Sequence, residues 1–218
     1  MRMKKEYLSD YGIVRENTKT NVAFAKLITD FSSNKDLPSV YVNNIWNKYN
    51  LSKIKKSNSL NGHIFEAIIA TLFIKEGILP MYLQASLEFV PDIDYDLIIF
   101  PKDENGEVDV SAPISLSLKT SLRERYKQAD LEGLALKEVY KRAKTYLITM
   151  DEKQEIDNFK NKIDVKDVRG IDVCIDARSR EFDELVFSIK ELGVAEPPDI
   201  KAIKDSSETR TKEIVKGK

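Results

Sequence analysis

Apolar residues recur through positions 13 to 32 at Val14, Val22, Phe24, Ala25, Leu27, Ile28 and Phe31, a pattern that predicts an N-terminal helical region. A second helix is read in PSVYVNNIWNKYN, opened by Pro38, whose fixed φ suits a first helical turn. The lysine-rich LSKIKKSNSLNG leads into HIFEAIIATLFIKEG, a helix of about four turns with Asn61 as its cap and Gly77 closing it. The period then shortens. LPMYLQASLEFV and YDLIIF read as neighbouring strands separated by PDID, and PKDENGEVDVSAP reads as a turn. There follow a strand at 114–119, a helix from about 121 to 142, the strand TYLITM, a helix near 151–162, the strand GIDVCID and a helix near 180–192. This order predicts an α/β fold, a mixed sheet flanked by helices with added N-terminal helices. One domain is expected over 1–202, with a helical part at 1–60, a core at 61–150 and a polar, flexible tail at 203–218.

Charge adds a pattern that the total conceals. The formal net charge is -1, yet residues 1 to 60 hold eleven Lys or Arg against five Asp or Glu. Residues 88 to 109 hold eight acids against Lys102 alone, and residues 114 to 144 hold eight basic groups against four acidic ones. An acidic patch set between basic surfaces leaves a polyanionic partner open, because phosphates respond to local clustering. No apolar run has the length of a membrane span and MRMKKEYLSD is not a signal segment, so a cytoplasmic protein is expected. With one histidine and one cysteine, His63 and Cys174 are read as core or surface residues. Any catalytic metal must then be held mainly by carboxylates, which suits a hard ion such as magnesium.

Three places carry chemistry. Between His63 and Lys75 every residue except Glu66 and Thr71 is apolar, so Glu66 is expected to enter the interior, where a carboxylate needs a partner or a metal. In PDIDYDLIIF alternate residues share a face, which aligns Asp92, Asp94 and Asp96, and Asp96 stands at the mouth of the buried run LIIF. In ISLSLK the side chains of Ile114, Leu116 and Leu118 take one face, and those of Ser115, Ser117 and Lys119 the other. Directly after Lys119, Ser121 and Glu124 form a capping-box signature. Arg123, Arg125 and Lys127 in that first turn oppose the helix dipole unless an anion is bound there. Leu122, Tyr126, Ala129, Gly133 and Leu136 mark the buried side of this helix, which leaves Arg123 and Lys127 outside for phosphate or base edges.

A helical Glu, an Asp at a strand mouth and, some twenty residues on, a strand ending in Lys resemble the PD-(D/E)XK nuclease superfamily. SLKTSLRERYKQAD in particular is similar to type II restriction endonucleases. The resemblance is specific over 61–130 and architectural from there to about 192. It implies a restriction-endonuclease-like core and Mg2+-dependent, site-specific cleavage of double-stranded DNA to 5′-phosphate ends. It further implies a homodimer and a cognate methyltransferase encoded nearby. By position, Asp96 matches the metal-binding aspartate, Lys119 the lysine, Glu66 the helical acid and Leu118 the backbone-carbonyl ligand, with Asp94 as second choice beside Asp96. Ser117 departs from the pattern, which has Asp or Glu there. The candidate catalytic set is Glu66, Asp96, Ser117 and Lys119. Thr120, Ser121, Arg123, Arg125, Lys127 and Gln128, with the basic residues of 1–60, are the expected DNA surface. Two alternatives stand beside this reading: a repair or structure-selective nuclease of the same superfamily, and a DNA-binding module that has lost catalysis.

Overall fold

The longest apolar stretch of the chain forms a helix at the centre of one of the cores. In the computed structural model, which describes residues 19–24, 26–27, 36–87, 90–123 and 125–195, the helices are α1 (Lys19–Phe24), α2 (Pro38–Leu51), α3 (Asn58–Glu76), α4 (Arg125–Val139), α5 (Lys153–Asp164) and α6 (Arg180–Leu192). The strands are β1 (Tyr82–Leu87), β2 (Val90–Ile99), β3 (Ile114–Lys119), β4 (Lys144–Thr149) and β5 (Val173–Asp176). They form one sheet in the order β1-β2-β3-β4-β5. The first three strands pair antiparallel and the last three parallel, which makes the sheet mixed, as expected. Of the rest of the expected helix at 13–32, residues 26–27 form a turn and the others lie outside the described residues, as do the tail at 203–218 and Glu124 of the capping box.

Alternation along the strands sends side chains to two cores. Leu97, Ile99, Leu116, Leu118, Ile148 and Ile175 pack with α1, α2, α3 and α6. On the other face Ile98 and Phe100 meet Leu136 of α4, while Leu147 and Cys174 meet Ala129 of α4 with Ile156 and Phe159 of α5. Helices therefore cover both faces, and β3 is buried on both: Ser115 and Ser117, placed on a polar face by the sequence, are only 6% and 7% exposed. Cys174, read as a core or surface residue, is in the core, and that burial pushes its thiol pKa up to about 12.

Three boundaries differ from the sequence reading, each because a distant group supplies what local sequence did not. α3 starts a turn earlier than Asn61: Ser57 is its cap, its Oγ accepting from the N–H of Leu60 at 3.2 Å, while Asn61 Oδ1 accepts from the Tyr49 hydroxyl at 2.7 Å. PDID is no break, because β1 offers partners through it, pairing Leu87 with Val90 and Ala85 with Tyr95. The regular turns of α4 begin at Arg125 and not near 121, and the N–H of Leu122 ahead of them donates to Asp151 Oδ2 at 2.6 Å.

α4 lies unusually close to the loop before β5. The Asp130 carboxylate accepts from the N–H groups of Arg169 and Gly170 at 2.9 and 2.6 Å. A Cβ on Gly170 would stand 1.8 Å from the Asp130 carbonyl oxygen, and one on Gly133 would stand 2.2 Å from the Gly170 carbonyl oxygen. Both obstacles are backbone, so neither can move aside alone. Gly170→Ala is expected to cost about 3 kcal/mol or more in a urea unfolding curve; an unchanged midpoint would show that helix and loop are free to part.

Candidate active site

β2 and β3 pair as far as Leu97 and Leu116, and beyond that point a side chain replaces the ladder. Asp96 Oδ2 accepts from the N–H of Leu118 at 2.7 Å and from Nζ of Lys119 at 2.8 Å. Each side chain of this ion pair is 11% exposed. The N–H and C=O of one strand residue project toward the same edge, so the Leu118 carbonyl opens onto the gap that Asp96 occupies. Beside it Ser117 Oγ is buried with no hydrogen-bond partner among the described residues. Such a group in an interior normally finds one.

The acids come from both sides of this opening. Gln84, across from Asp96 in the register set by Leu83↔Leu97 and Ala85↔Tyr95, donates from Nε2 to Asp96 Oδ1 at 3.2 Å and to Glu66 Oε2 at 3.4 Å. Glu66 is thus at the site, though not in the interior: its side chain is 23% exposed. His63 Nδ1 lies 3.6 Å from the same Glu66 oxygen. Its interaction with Glu66 raises the imidazole pKa against partial desolvation, and the charges of Glu66 and Asp96 add to the rise. Asp94 is exposed, so it is Asp96 that engages Lys119.

From the opposite face α4 brings Glu132, which the sequence reading did not single out. It is 9% exposed and accepts from Gln128 Nε2 at 2.7 Å. Burial pushes its carboxyl above the usual range; Lys119 and the Gln128 hydrogen bond oppose this, and the charges of Asp96 and Asp94 reinforce it. Its electrostatic partners are thus the predicted site residues. A signal was present, since Ala129, Glu132, Gly133 and Leu136 fall on one helical stripe that is otherwise apolar. Among the described residues no three His, Cys, Asp or Glu side chains converge closely enough to hold a metal by themselves.

The expected DNA surface divides. Thr120 and Ser121 are half-buried, while Arg123, Arg125 and Lys127 are exposed around the start of α4. Gln128 turns its amide to Glu132. The family model for BsaWI restriction endonuclease type 2 matches residues 74–211 of the chain. The chain belongs to that family. The BsaWI-family match takes in Asp96, Ser117, Lys119 and Glu132, and leaves His63 and Glu66 outside. A solved structure, metal-depleted Ecl18kI in complex with uncleaved, modified DNA, aligns with 98% of this chain at 17% identity and a TM-score of 0.40. The alignment covers 66% of that chain, so this BsaWI-family member spans slightly under two thirds of its length. No curated protein sequence matches.

Proposed function

We propose that the chain is a magnesium-dependent, site-specific endodeoxyribonuclease of a restriction system, hydrolysing double-stranded DNA at the opening between β2 and β3. The observation that carries this reading is the Asp96–Lys119 pair at the point where the two strands part, with Asp96 also held by the Leu118 N–H. The donor set fits a hard divalent cation. Asp96 and Glu66 present oxygens within 3.4 Å of one nitrogen, the Leu118 carbonyl faces the same gap, and the unpartnered Ser117 hydroxyl adds a neutral oxygen beside it. Glu132 supplies a further carboxylate from the opposite face, in place of the acid that Ser117 displaces from the strand. When bound, magnesium would polarise the scissile phosphate and favour deprotonation of a water. Lys119 orients that water and offsets the negative charge that develops on phosphate oxygen. In-line attack gives 5′-phosphate ends.

Arg123, Arg125 and Lys127 form the DNA surface on one side. Asp151 occupies the N–H of Leu122 ahead of the helix, and it is these exposed side chains that meet phosphate or base edges. A second basic surface is the 460 Å3 concavity lined by Lys26, Leu27, Lys48, Ser52, Lys53 and Ile54, within the positively charged N-terminal part. Cutting both strands of a palindromic site calls for a two-fold homodimer, and a cellular partner methyltransferase would protect the host's copies of the site. Among the described residues no helix is long and apolar enough to cross a membrane, which agrees with a cytoplasmic setting. Arg123→Ala is expected to weaken binding to duplex DNA and to flatten its dependence on salt by about one charge. If both are unchanged in a gel-shift series, α4 does not face DNA.

The test of the activity is digestion of unmethylated phage DNA by the purified protein, with magnesium and with EDTA. Discrete fragments that appear only with magnesium are expected. Binding without cleavage of any duplex would assign the chain to a catalytically silent module instead.

A further inference from the structure

Gln84 sits in the middle of a strand with φ at 49°, in the left-handed region that residues with a side chain rarely adopt. Such a backbone costs about 1–2 kcal/mol in a residue other than glycine and persists where the surroundings impose it. Glycine takes the positive φ at positions 77, 106 and 193, and Lys166 takes it in the turn after α5; inside a strand, at position 84, the chain keeps a long amide. The backbone turn changes which way the strand faces. Leu83 and Ala85, which an unbroken strand would place on one face, pack in the two opposite cores, and so do Tyr95 and Leu97 on the facing strand. At the crossover between faces the Gln84 amide emerges between β2 and α3, where its Nε2 meets Asp96 Oδ1 and Glu66 Oε2 together.

The choice of side chain is informative. Two carboxylates brought this near one another repel, and a lysine between them, added to Lys119 already paired with Asp96, would cancel their charge and compete with any incoming cation. A leucine would leave the oxygens unsatisfied. A primary amide donates to both oxygens, carries no charge and leaves their negative charge undiminished. We propose that Gln84 is a positioning residue, which holds Asp96 and Glu66 at the spacing a divalent cation needs before the cation arrives. This rests on the metal-dependent reading of the site given above, and it adds a residue outside the set that the sequence supplied.

Gln84→Gly separates the amide from the backbone, because glycine accepts the left-handed conformation without strain. The variant is expected to melt at the parent temperature or above it. Its affinity for manganese, titrated into the full chain without DNA and read by calorimetry, should fall tenfold or more, the range found when supports of metal ligands are removed. His63 supplies a second readout, as the chain has one histidine and its ring lies 3.6 Å from Glu66. Its NMR signals at fixed pH should move when Glu66 is released. Equal manganese affinity in parent and variant would overturn the assignment. Weaker binding with unmoved His63 signals would overturn it too, since Glu66 would then have kept its place without the amide. If the parent itself takes up no manganese, the metal-dependent reading falls and the role of Gln84 with it; uptake by the parent confines any failure to Gln84.

Discussion

Lys119→Ala is expected to lower magnesium-dependent cleavage by about a hundredfold to a thousandfold, the scale seen when one charge-stabilising donor is removed from a hydrolytic site. The same protein should still shift a duplex in a gel without metal, because Arg123, Arg125 and Lys127 are untouched and exposed. Folding should survive. Asp96 loses one of its donors, but the Leu118 N–H at 2.7 Å and the Gln84 amide at 3.2 Å remain, so the carboxylate is not left alone as in a fully buried broken pair. Asp96→Ala should be as severe for cleavage by a different route, removing the acid that faces the Leu118 carbonyl across the strand opening. Measurable cutting by either variant at the parent's rate would sink the site assignment. Loss of binding in both, with the melting temperature preserved, would mean that Asp96 and Lys119 belong to the DNA surface and not to the chemistry.

Glu132→Gln should move activity and stability in opposite directions. Its carboxyl is raised in the folded protein chiefly by burial. A carboxyl raised on folding contributes its full stability below the unfolded pKa and loses it as pH climbs through the folded one. At neutral pH and above, the ionised Glu132 is therefore a burden on the native state, and glutamine relieves it while keeping shape and an acceptor for Gln128. The variant should melt higher than the parent at pH 8, with the difference shrinking as pH falls toward the ordinary range for glutamate. Cleavage should drop by about a hundredfold, the upper range for loss of a group that supports a metal site. Equal melting curves at both pH values would show that the burial is compensated, and undiminished cleavage would remove Glu132 from the site.

The parts of this site that the sequence displayed are those that depend on local period. Lys119 follows from strand alternation and its position at a strand end, and Asp96 from the apolar run it opens. The family match at 74–211 agrees with the type II restriction endonuclease resemblance, whose specific part at 61–130 it overlaps from residue 74 on. What local period could not display is what two distant elements do to one another. Gln84 looks like an ordinary polar position in a half-buried strand, and only the observed φ and its two carboxylate partners mark it out. Glu66 was expected deep inside because its neighbours are apolar all round the helix, yet at mid-length of α3 its side chain reaches the opening beside Gln84 and stays 23% exposed. Glu132 lies on the stripe of Ala129, Gly133 and Leu136 that the period marks as buried; what the period does not show is that the charges it meets across the fold are those of Lys119 and Asp96. The start of α4 was misplaced because the group that meets Leu122 comes from Asp151, 29 residues later.

Cys174 has a practical consequence. It is the chain's one thiol, it is 1% exposed, and burial lifts its pKa to about 12, so almost none of it is thiolate at neutral pH, the form that reacts with maleimides or disulfides. The protein therefore carries a silent background for thiol chemistry without any native residue being replaced. A cysteine introduced at Lys127 would be the single position to take a dye or to form a tether with thiol-bearing DNA, and one at Glu138, on the last turn of the same helix, would serve as its distant control. The orientation of α4 on a duplex becomes measurable from two labels on an otherwise native chain.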